Sequence, residues 1–129
     1  MSTIKANTFT AADLNTDLTI TGNGTGIIAL TSPTKAVPTT DNDLSFSMAD
    51  NNNFICTPTG NGTLTFTNIT NGQSGNILFV NTGGHTISLA ATTKGNSNFA
   101  SDISTAGTYW ISYFSNGTNV YCAHSGAMV

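Results

Sequence analysis

The sequence of 129 residues contains no arginine and no glutamate, and its charged side chains make up 7% of the chain. An ordinary soluble domain carries about a quarter of its residues as charged side chains. The only cations are Lys5, Lys35 and Lys94, and they are far apart in the sequence. Binding to nucleic acid needs clustered basic residues that displace counterions. We therefore exclude nucleic acid as a partner.

Long apolar segments are also missing. No stretch approaches the run of about 20 apolar residues that a membrane-spanning helix needs. Residues 1–14 lack the apolar core of a secretory signal, so we expect synthesis and assembly in the cytosol and no membrane partner. Cysteine is limited to Cys56 and Cys122, each beside apolar residues in a predicted strand. We predict that both are buried free thiols rather than a disulfide.

What the sequence does contain is alternation of apolar residues with Thr, Ser and Asn, most clearly from Thr63 to Ala123. Side chains in a strand point to opposite faces with period two, so this pattern predicts half-buried strands. Gly or Asn-Gly fills nearly every gap, and Asn-Gly supplies the positive φ angles of tight hairpins. Strands are predicted at residues 63–67, 76–81, 85–89, 109–114 and 119–123.

The remaining segments complete the predicted architecture. Ser32–Asp43 contains two prolines and no alternation, which favours a crossover between two sheets. We predict an all-β fold, an antiparallel β-sandwich of Greek-key or jelly-roll type over residues 16–129, preceded by an extended N-terminal arm over residues 1–15. The pentapeptide Thr-Gly-Asn-Gly-Thr occurs at 21–25 and again at 59–63. Because the flanking strands match poorly, we interpret it as one turn chemistry used twice rather than as two related β units.

Residues with catalytic chemistry are few. His85 and His124 are the only imidazoles, and no acid neighbours His85 in the sequence. A general base needs an orienting partner and a nucleophile within reach, so we predict no enzymatic activity. The Asx-rich segments 41–43 and 50–53 offer oxygen ligands for Ca²⁺, but such segments form metal-free turns far more often. We predict no metal and no cofactor.

The aromatic residues Trp110, Tyr113 and Phe114 occupy one predicted strand with bulky side chains on both faces. This pattern is typical of a central strand, and we assign the three residues to the core or to a seam with a second layer or another subunit. Stacking of Trp110 and Tyr113 on sugar rings is the alternative interpretation. A surface poor in long ionic side chains loses less rotamer entropy when it is covered, which favours packing against copies of the chain or a partner.

Several motifs in the C-terminal half resemble a recurrent module of tailed-phage virion proteins, found in fibres and head-surface proteins of marine phages. They are Gly-Gln-Ser-Gly at 72–75 before an apolar strand, Gly-Gly-His-Thr-Ile at 83–87, and an aromatic strand that ends in Asn-Gly-Thr-Asn-Val-Tyr at 116–121. The opening residues 1–8 also resemble the start of marine phage structural proteins. The resemblance implies a β-sandwich on a virion, often trimeric.

Together these observations favour a non-enzymatic structural protein of the virion. The leading hypothesis is a homotrimeric capsid decoration, or cement, protein that binds the major capsid protein on the outer surface of the head after assembly in the host cytoplasm. The N-terminal arm, with Ile4, Lys5 and Phe9, would contact the capsid. The alternative hypothesis is a tail fibre or receptor-binding component that recognises host surface glycans. A carbohydrate-binding module from outside viruses is a third possibility.

Overall fold

A computed structural model describes residues 35–128, and from Ala36 on these residues form one compact unit. Within them nine strands and one short helix follow one another. Their bounds are β1 Thr39–Thr40, β2 Ser45–Ser47, β3 Asn53–Cys56, β4 Gly62–Thr67, β5 Asn71–Asn81, β6 Ile87–Leu89, β7 Thr93–Lys94, α1 Phe99–Ser104, β8 Gly107–Asn116 and β9 Val120–His124. No described peptide bond is cis.

The first six strands wind into three stacked coils. Each coil places one strand in a first sheet and the next strand in a second sheet: β1 with β2, β3 with β4, and β5 with β6. Successive coils pair in parallel, β1 with β3 and β3 with β5 on one side, and β2 with β4 and β4 with β6 on the other. This arrangement is a small β-solenoid of about three turns.

The last elements close the solenoid at its C-terminal end. The antiparallel hairpin of β8 and β9 pairs with β5 and extends the first sheet, which has the order β1-β3-β5-β8-β9-β7. Helix α1 packs beside β6, the last strand of the second sheet. The hairpin and the helix therefore cover strand edges that would otherwise be open to pairing with another chain.

The core lies between the two sheets and is built from alternate residues of each strand. Phe46 of the second sheet meets Phe54 of the first at a ring-centroid distance of 5.1 Å, and Phe66 meets Tyr113 at 4.9 Å. Down the stack, Phe54 lies in register with Ile77, and Ile77 with Ile111; all three are buried. Each coil thus adds one apolar layer to a continuous core.

The predicted antiparallel sandwich is therefore wrong. Alternation reports that one face of a strand is buried, but it does not report the direction of the neighbouring strand. The expectation that Asn-Gly pairs form hairpin turns is also wrong at two positions. Asn61-Gly62 lies at a corner between strands of opposite sheets, and Asn71-Gly72 opens β5. Among the described Asn-Gly pairs, Asn116-Gly117 alone forms a hairpin turn, with a Gly117 φ of 86°.

The positions of the predicted strands are confirmed, because each of the five overlaps an observed strand: β4, β5, β6, β8 and β9. The described part of the predicted crossover leads from the first sheet to the second, but it also contains a strand that was not predicted, since Thr39–Thr40 pairs with β3. Both cysteines are free thiols, Cys56 buried and Cys122 half-buried. The predicted arm over residues 1–15 and the first copy of the pentapeptide lie outside the described residues.

Candidate functional site: the outer face of the first sheet

The side of the first sheet that points away from the core is the most distinctive described surface, and we refer to it as the outer face. Because side chains alternate along β3, β5, β8 and β9, residues that are paired across neighbouring strands lie side by side on this face. Its residues are partly or fully exposed, and they include Asn53, Ile55, Asn76, Leu78, Trp110, Ser112, Phe114, Tyr121 and Ala123.

Within residues 35–128, the outer face carries no acidic side chain. In the six strands that form this sheet, Lys94 of β7 is the only Asp, Glu, Lys or Arg side chain. Three large aromatic side chains on the same face are about half exposed: Trp110 at 46%, Phe114 at 52% and Tyr121 at 48%. Uncharged surface of this kind costs little to desolvate, which suits contact with another molecule.

Trp110 forms one wall of a groove on this face. The groove has a volume of about 260 Å³, its floor is made by Ile55 and Leu78, and its far side is made by Ala36 and Pro38 just before β1. The strand register brings these residues together, because Ile55 of β3 pairs with Leu78 of β5, and Leu78 pairs with Trp110 of β8. The groove therefore crosses the coils rather than running along one strand.

Polar side chains beside Trp110 hold its ring in place. The indole Nε1 donates a hydrogen bond to Oδ1 of Asn76 at 3.1 Å, and the same oxygen accepts one from the Ser112 hydroxyl at 3.0 Å. The Asn76 side-chain nitrogen in turn donates to Oδ1 of Asn53 at 3.4 Å. This chain of contacts joins β3, β5 and β8 along the rim of the groove.

Phe114 and Tyr121 form a second feature of the outer face, on the neighbouring strands β8 and β9. The two residues are directly paired in the sheet register. They line a shallow hollow of about 320 Å³, whose other outward side chains are Ser112 and Ala123. The Asn116 side-chain nitrogen donates to the Tyr121 hydroxyl at 3.3 Å, which fixes the tip of that ring.

The three residues that the sequence assigned to the core or a subunit seam lie on both faces of β8, as the alternation along the predicted strand indicated. Tyr113 points inward, is 4% exposed, and its hydroxyl donates to the carbonyl oxygen of Asn52 at 2.9 Å. Burial raises the pKa of the Tyr113 phenol to about 12. Trp110 and Phe114 point outward instead. The predicted capsid-contact residues Ile4, Lys5 and Phe9 lie outside the described residues.

A histidine–carboxylate pair occurs elsewhere, where sequence proximity gave no sign of it. Nε2 of His124 in β9 lies 3.2 Å from Oδ2 of Asp102 in α1, and the imidazole packs edge-on against Phe99 and Tyr109. The other ring nitrogen contacts the carbonyl oxygen of Ser125. Both ring nitrogens are thus occupied, and the pair links the helix to the last strand.

The Asx-rich segments form turns, as predicted. Asp43 accepts the backbone N–H of Ser45 at 2.8 Å, and Asn51 accepts those of Asn52 and Asn53 at 2.8 and 3.1 Å. Burial, followed by the hydrogen bond with Asp43, raises the pKa of the Asp41 carboxyl. Residues 35–128 contain no cluster of three or more His, Cys, Asp or Glu side chains that could hold a metal ion.

Within the described segment, no helix is both long enough and apolar enough to cross a membrane. No known protein family, curated protein or solved structure matches the chain. The likeness to phage virion modules therefore depends on the short motifs alone.

Those motifs have clear structural roles in the solenoid. Gly72 has a φ of 78° at a register shift in β5, and Gln73 donates to the Met48 carbonyl and to the Asn52 side chain, each at 2.6 Å. Gly84 has a φ of 61° in the turn after β5. Sequence reasoning missed Asn76 and Tyr121, because their relation to Trp110 and Phe114 depends on the strand register.

Proposed function

We propose that this protein is a non-enzymatic structural protein of a tailed-phage virion, a capsid decoration protein that binds the outer surface of the head as a homotrimer. The observation that carries the proposal is the outer face, which is uncharged apart from Lys94 and displays three half-exposed aromatic side chains. The short motifs shared with phage virion modules supply the biological setting.

The aromatic pair of Phe114 and Tyr121 is the best candidate for the subunit seam. Energetic centres of protein interfaces are enriched in aromatic residues, whereas lysine and acidic residues are depleted there. The two rings are adjacent and exposed, with Ser112 and Ala123 beside them. On the other side Tyr121 is paired with Lys94, whose Nζ donates to the Ala91 carbonyl oxygen at 2.6 Å. Tyr113 contributes to the seam only indirectly, by holding β8 to the core.

The stacked coils suit a protein whose task is to bind without changing shape. Every described coil is paired with its neighbour in both sheets, and buried aromatic rings connect the sheets. A rigid surface loses little conformational entropy on association, so more of its contact energy contributes to affinity. Many weakly bound copies would then stabilise a capsid through avidity.

Attachment to the capsid is assigned to the N-terminal residues with Ile4, Lys5 and Phe9, as the sequence suggested. The major capsid protein would be the partner, and the virion surface would be the location. Imaging of complete particles tests both the partner and the location. We expect cryo-electron microscopy to show many copies on the head. Absence of the chain from purified particles would overturn the proposal.

A receptor-binding component of the tail is the second candidate. The groove beside Trp110 specifically favours it, because an exposed indole flanked by amides can hold a sugar. The same imaging experiment separates the two candidates, since a tail component would occur in few copies at one vertex.

A further inference from the structure

We propose that the groove beside Trp110 binds a single pyranose ring of a carbohydrate, whether the protein lies on the head or on the tail. Trp110 would stack on the apolar face of the ring, and the amides of Asn53 and Asn76 would bind its hydroxyls. This site is distinct from the Phe114–Tyr121 pair that we assign to the subunit seam.

The indole ring of Trp110 has a fixed orientation in the free protein. A half-exposed side chain normally retains rotamer freedom, which must be lost when a ligand stacks on it. Here the Nε1 bond to Asn76 already restrains the ring, and Asn76 is itself held by Ser112 and Asn53. A preorganised stacking surface binds more tightly, because the cost of ordering has been met in the free protein.

The rim of the groove carries amide side chains that can bind hydroxyl groups. A carboxamide carries two N–H donors and an acceptor oxygen. The Asn76 oxygen already accepts from Trp110 and Ser112, and one Asn76 N–H donates to Asn53. Asn76 therefore has one N–H left for a ligand hydroxyl, and Asn53 supplies the other amide donors. Asn53 and Asn76 are paired in the register and lie side by side at the groove, with the Ser112 hydroxyl next in the same row. A sugar ring has the complementary layout, with C–H groups on its face and hydroxyls around its edge.

The groove beside Trp110 is uncharged in its described lining, and it is small. Among the described residues that line the groove none is charged, which favours a neutral ligand over a phosphate, a carboxylate or an ammonium group. Its volume of about 260 Å³ lies just below the range of about 300–1,000 Å³ that is typical of sites for drug-sized ligands. The groove therefore suits one monosaccharide unit.

The sequence contains a single tryptophan, so the indole N–H resonance and the tryptophan fluorescence both report on this site alone. We suggest titrating the full-length protein with the methyl pyranosides of glucose, galactose, mannose, rhamnose and N-acetylglucosamine. We expect a saturable shift of the indole resonance with at least one of the five. Absence of a saturable shift with all five would overturn the proposal.

Variants then test the assigned contacts. Asn76→Ala frees the indole and removes an amide, and should weaken binding about tenfold, or about 1.4 kcal/mol. Ser74→Ala is the matched control, because Ser74 is an exposed residue of the same strand that does not line the groove; its affinity should stay within about twofold. Trp110→Phe, followed by saturation-transfer NMR, should weaken binding while preserving the fold. Unchanged affinity in both Asn76→Ala and Trp110→Phe would contradict the site.

A second copy of the chain is the competing occupant of the groove. If the indole resonance shifts with protein concentration, and Trp110→Ala converts an oligomer into a monomer, the groove is a subunit contact and the carbohydrate proposal fails. A loss of sugar binding would leave the virion assignment untouched, because imaging of the particle tests that assignment separately.

Discussion

Gly75, the last residue of the Gly-Gln-Ser-Gly motif, shows how single residues control the stacking of the coils. A methyl group at this position would lie 1.7 Å from the Asn52 carbonyl oxygen and 2.5 Å from the Tyr113 hydroxyl oxygen. That carbonyl accepts hydrogen bonds from both the Asn76 N–H and the Tyr113 hydroxyl, each at 2.9 Å. Glycine is required because the second and third coils and the closing hairpin converge at this point.

Gly75→Ala should therefore destabilise the protein by about 1–3 kcal/mol, the range for overpacking, because the obstructing atoms belong to the backbone and to a buried side chain. Chemical denaturation measures the change. Gly60→Ala is the control, since the added methyl group meets nothing within 4 Å; its effect should stay within about 0.5 kcal/mol. Equal stabilities of the two variants would show that the coils do not meet at Gly75 as described.

Three acidic groups, two buried and one half-buried, predict a loss of stability in alkali. Burial raises the pKa of the Cys56 and Cys122 thiols from 9.0 to about 12, and that of the Tyr113 phenol from 10.0 to about 12. Because these groups stay neutral in the folded protein while they ionise in the unfolded chain, stability is full below pH 9.0 and falls as the pH rises toward 12.

The denaturation midpoint should accordingly decline above pH 9.0, and the decline should be shallower in the double variant Cys56→Ala, Cys122→Ala. Thiol-specific labelling gives an independent check. Neither cysteine should react quickly in the native protein at neutral pH, and both should react after unfolding. Rapid labelling of the native protein would contradict the burial of these thiols.

At the scale of elements, the sequence was sufficient to locate strands but not to pair them. Alternation in Thr63–Thr67 and Tyr109–Phe114 identified β4 and β8, because a half-buried strand needs that pattern in any β fold. The parallel stacking depends on which strands are neighbours, and these contacts link residues far apart in sequence. Asn76, for example, pairs with Asn53 on one side and with Ser112 on the other.

For the candidate site, too, the sequence identified the strand that carries it but not the neighbouring strands that complete it. Trp110 and Phe114 stood out as aromatic residues of one strand, and their shared parity places them on one face. Trp110 forms a groove with Leu78 of β5, whereas Phe114 forms a hollow with Tyr121 of β9. No local pattern marks those partners, so the sequence indicated the strand that carries the site but not the site itself.

Asn81 connects the last coil to the closing elements. It is fully buried at the end of β5, accepts the N–H of His85 at 2.9 Å, and donates to the carbonyl oxygens of His85 and Ile103, each at 2.9 Å. Asn81→Leu would leave these backbone groups unpaired, and each buried unpaired group costs about 1–3 kcal/mol. We expect a loss of several kcal/mol of unfolding free energy in chemical denaturation.

Asn81→Asp provides a control of nearly identical shape. One carboxylate oxygen would still accept the His85 N–H, but the other would face two carbonyl oxygens. Only the protonated acid can donate to one of them, so folding should raise the pKa of the new carboxyl group. The variant should therefore be closest to the wild-type protein in acid, and should lose stability as the pH rises through that raised pKa. A deficit independent of pH would contradict the assigned hydrogen bonds.

At the scale of the whole molecule, the two sheets present different outward surfaces. The outward residues of the second-sheet strands β2 and β4 are Ser45, Ser47, Thr63, Thr65 and Thr67, and the hydroxyls of Thr63 and Ser88 bond to each other at 2.7 Å. The first sheet displays its aromatic residues instead. We therefore expect association through the first sheet, because burying aromatic area contributes more than burying hydroxyls that already bond water or one another.

Phe114→Lys tests this asymmetry. A lysine would replace the proposed apolar contact with a charge repeated in every subunit, so the proposed trimer should dissociate. The stability of each subunit should change little, because the Phe114 side chain is 52% exposed. Size-exclusion chromatography with light scattering measures the mass. Thr67→Lys is the matched control, as it places the same charge at an exposed position of the second sheet and should leave the trimer intact. A monomeric wild-type protein would contradict the proposed trimer, and a trimer that survives Phe114→Lys would place the subunit contact elsewhere.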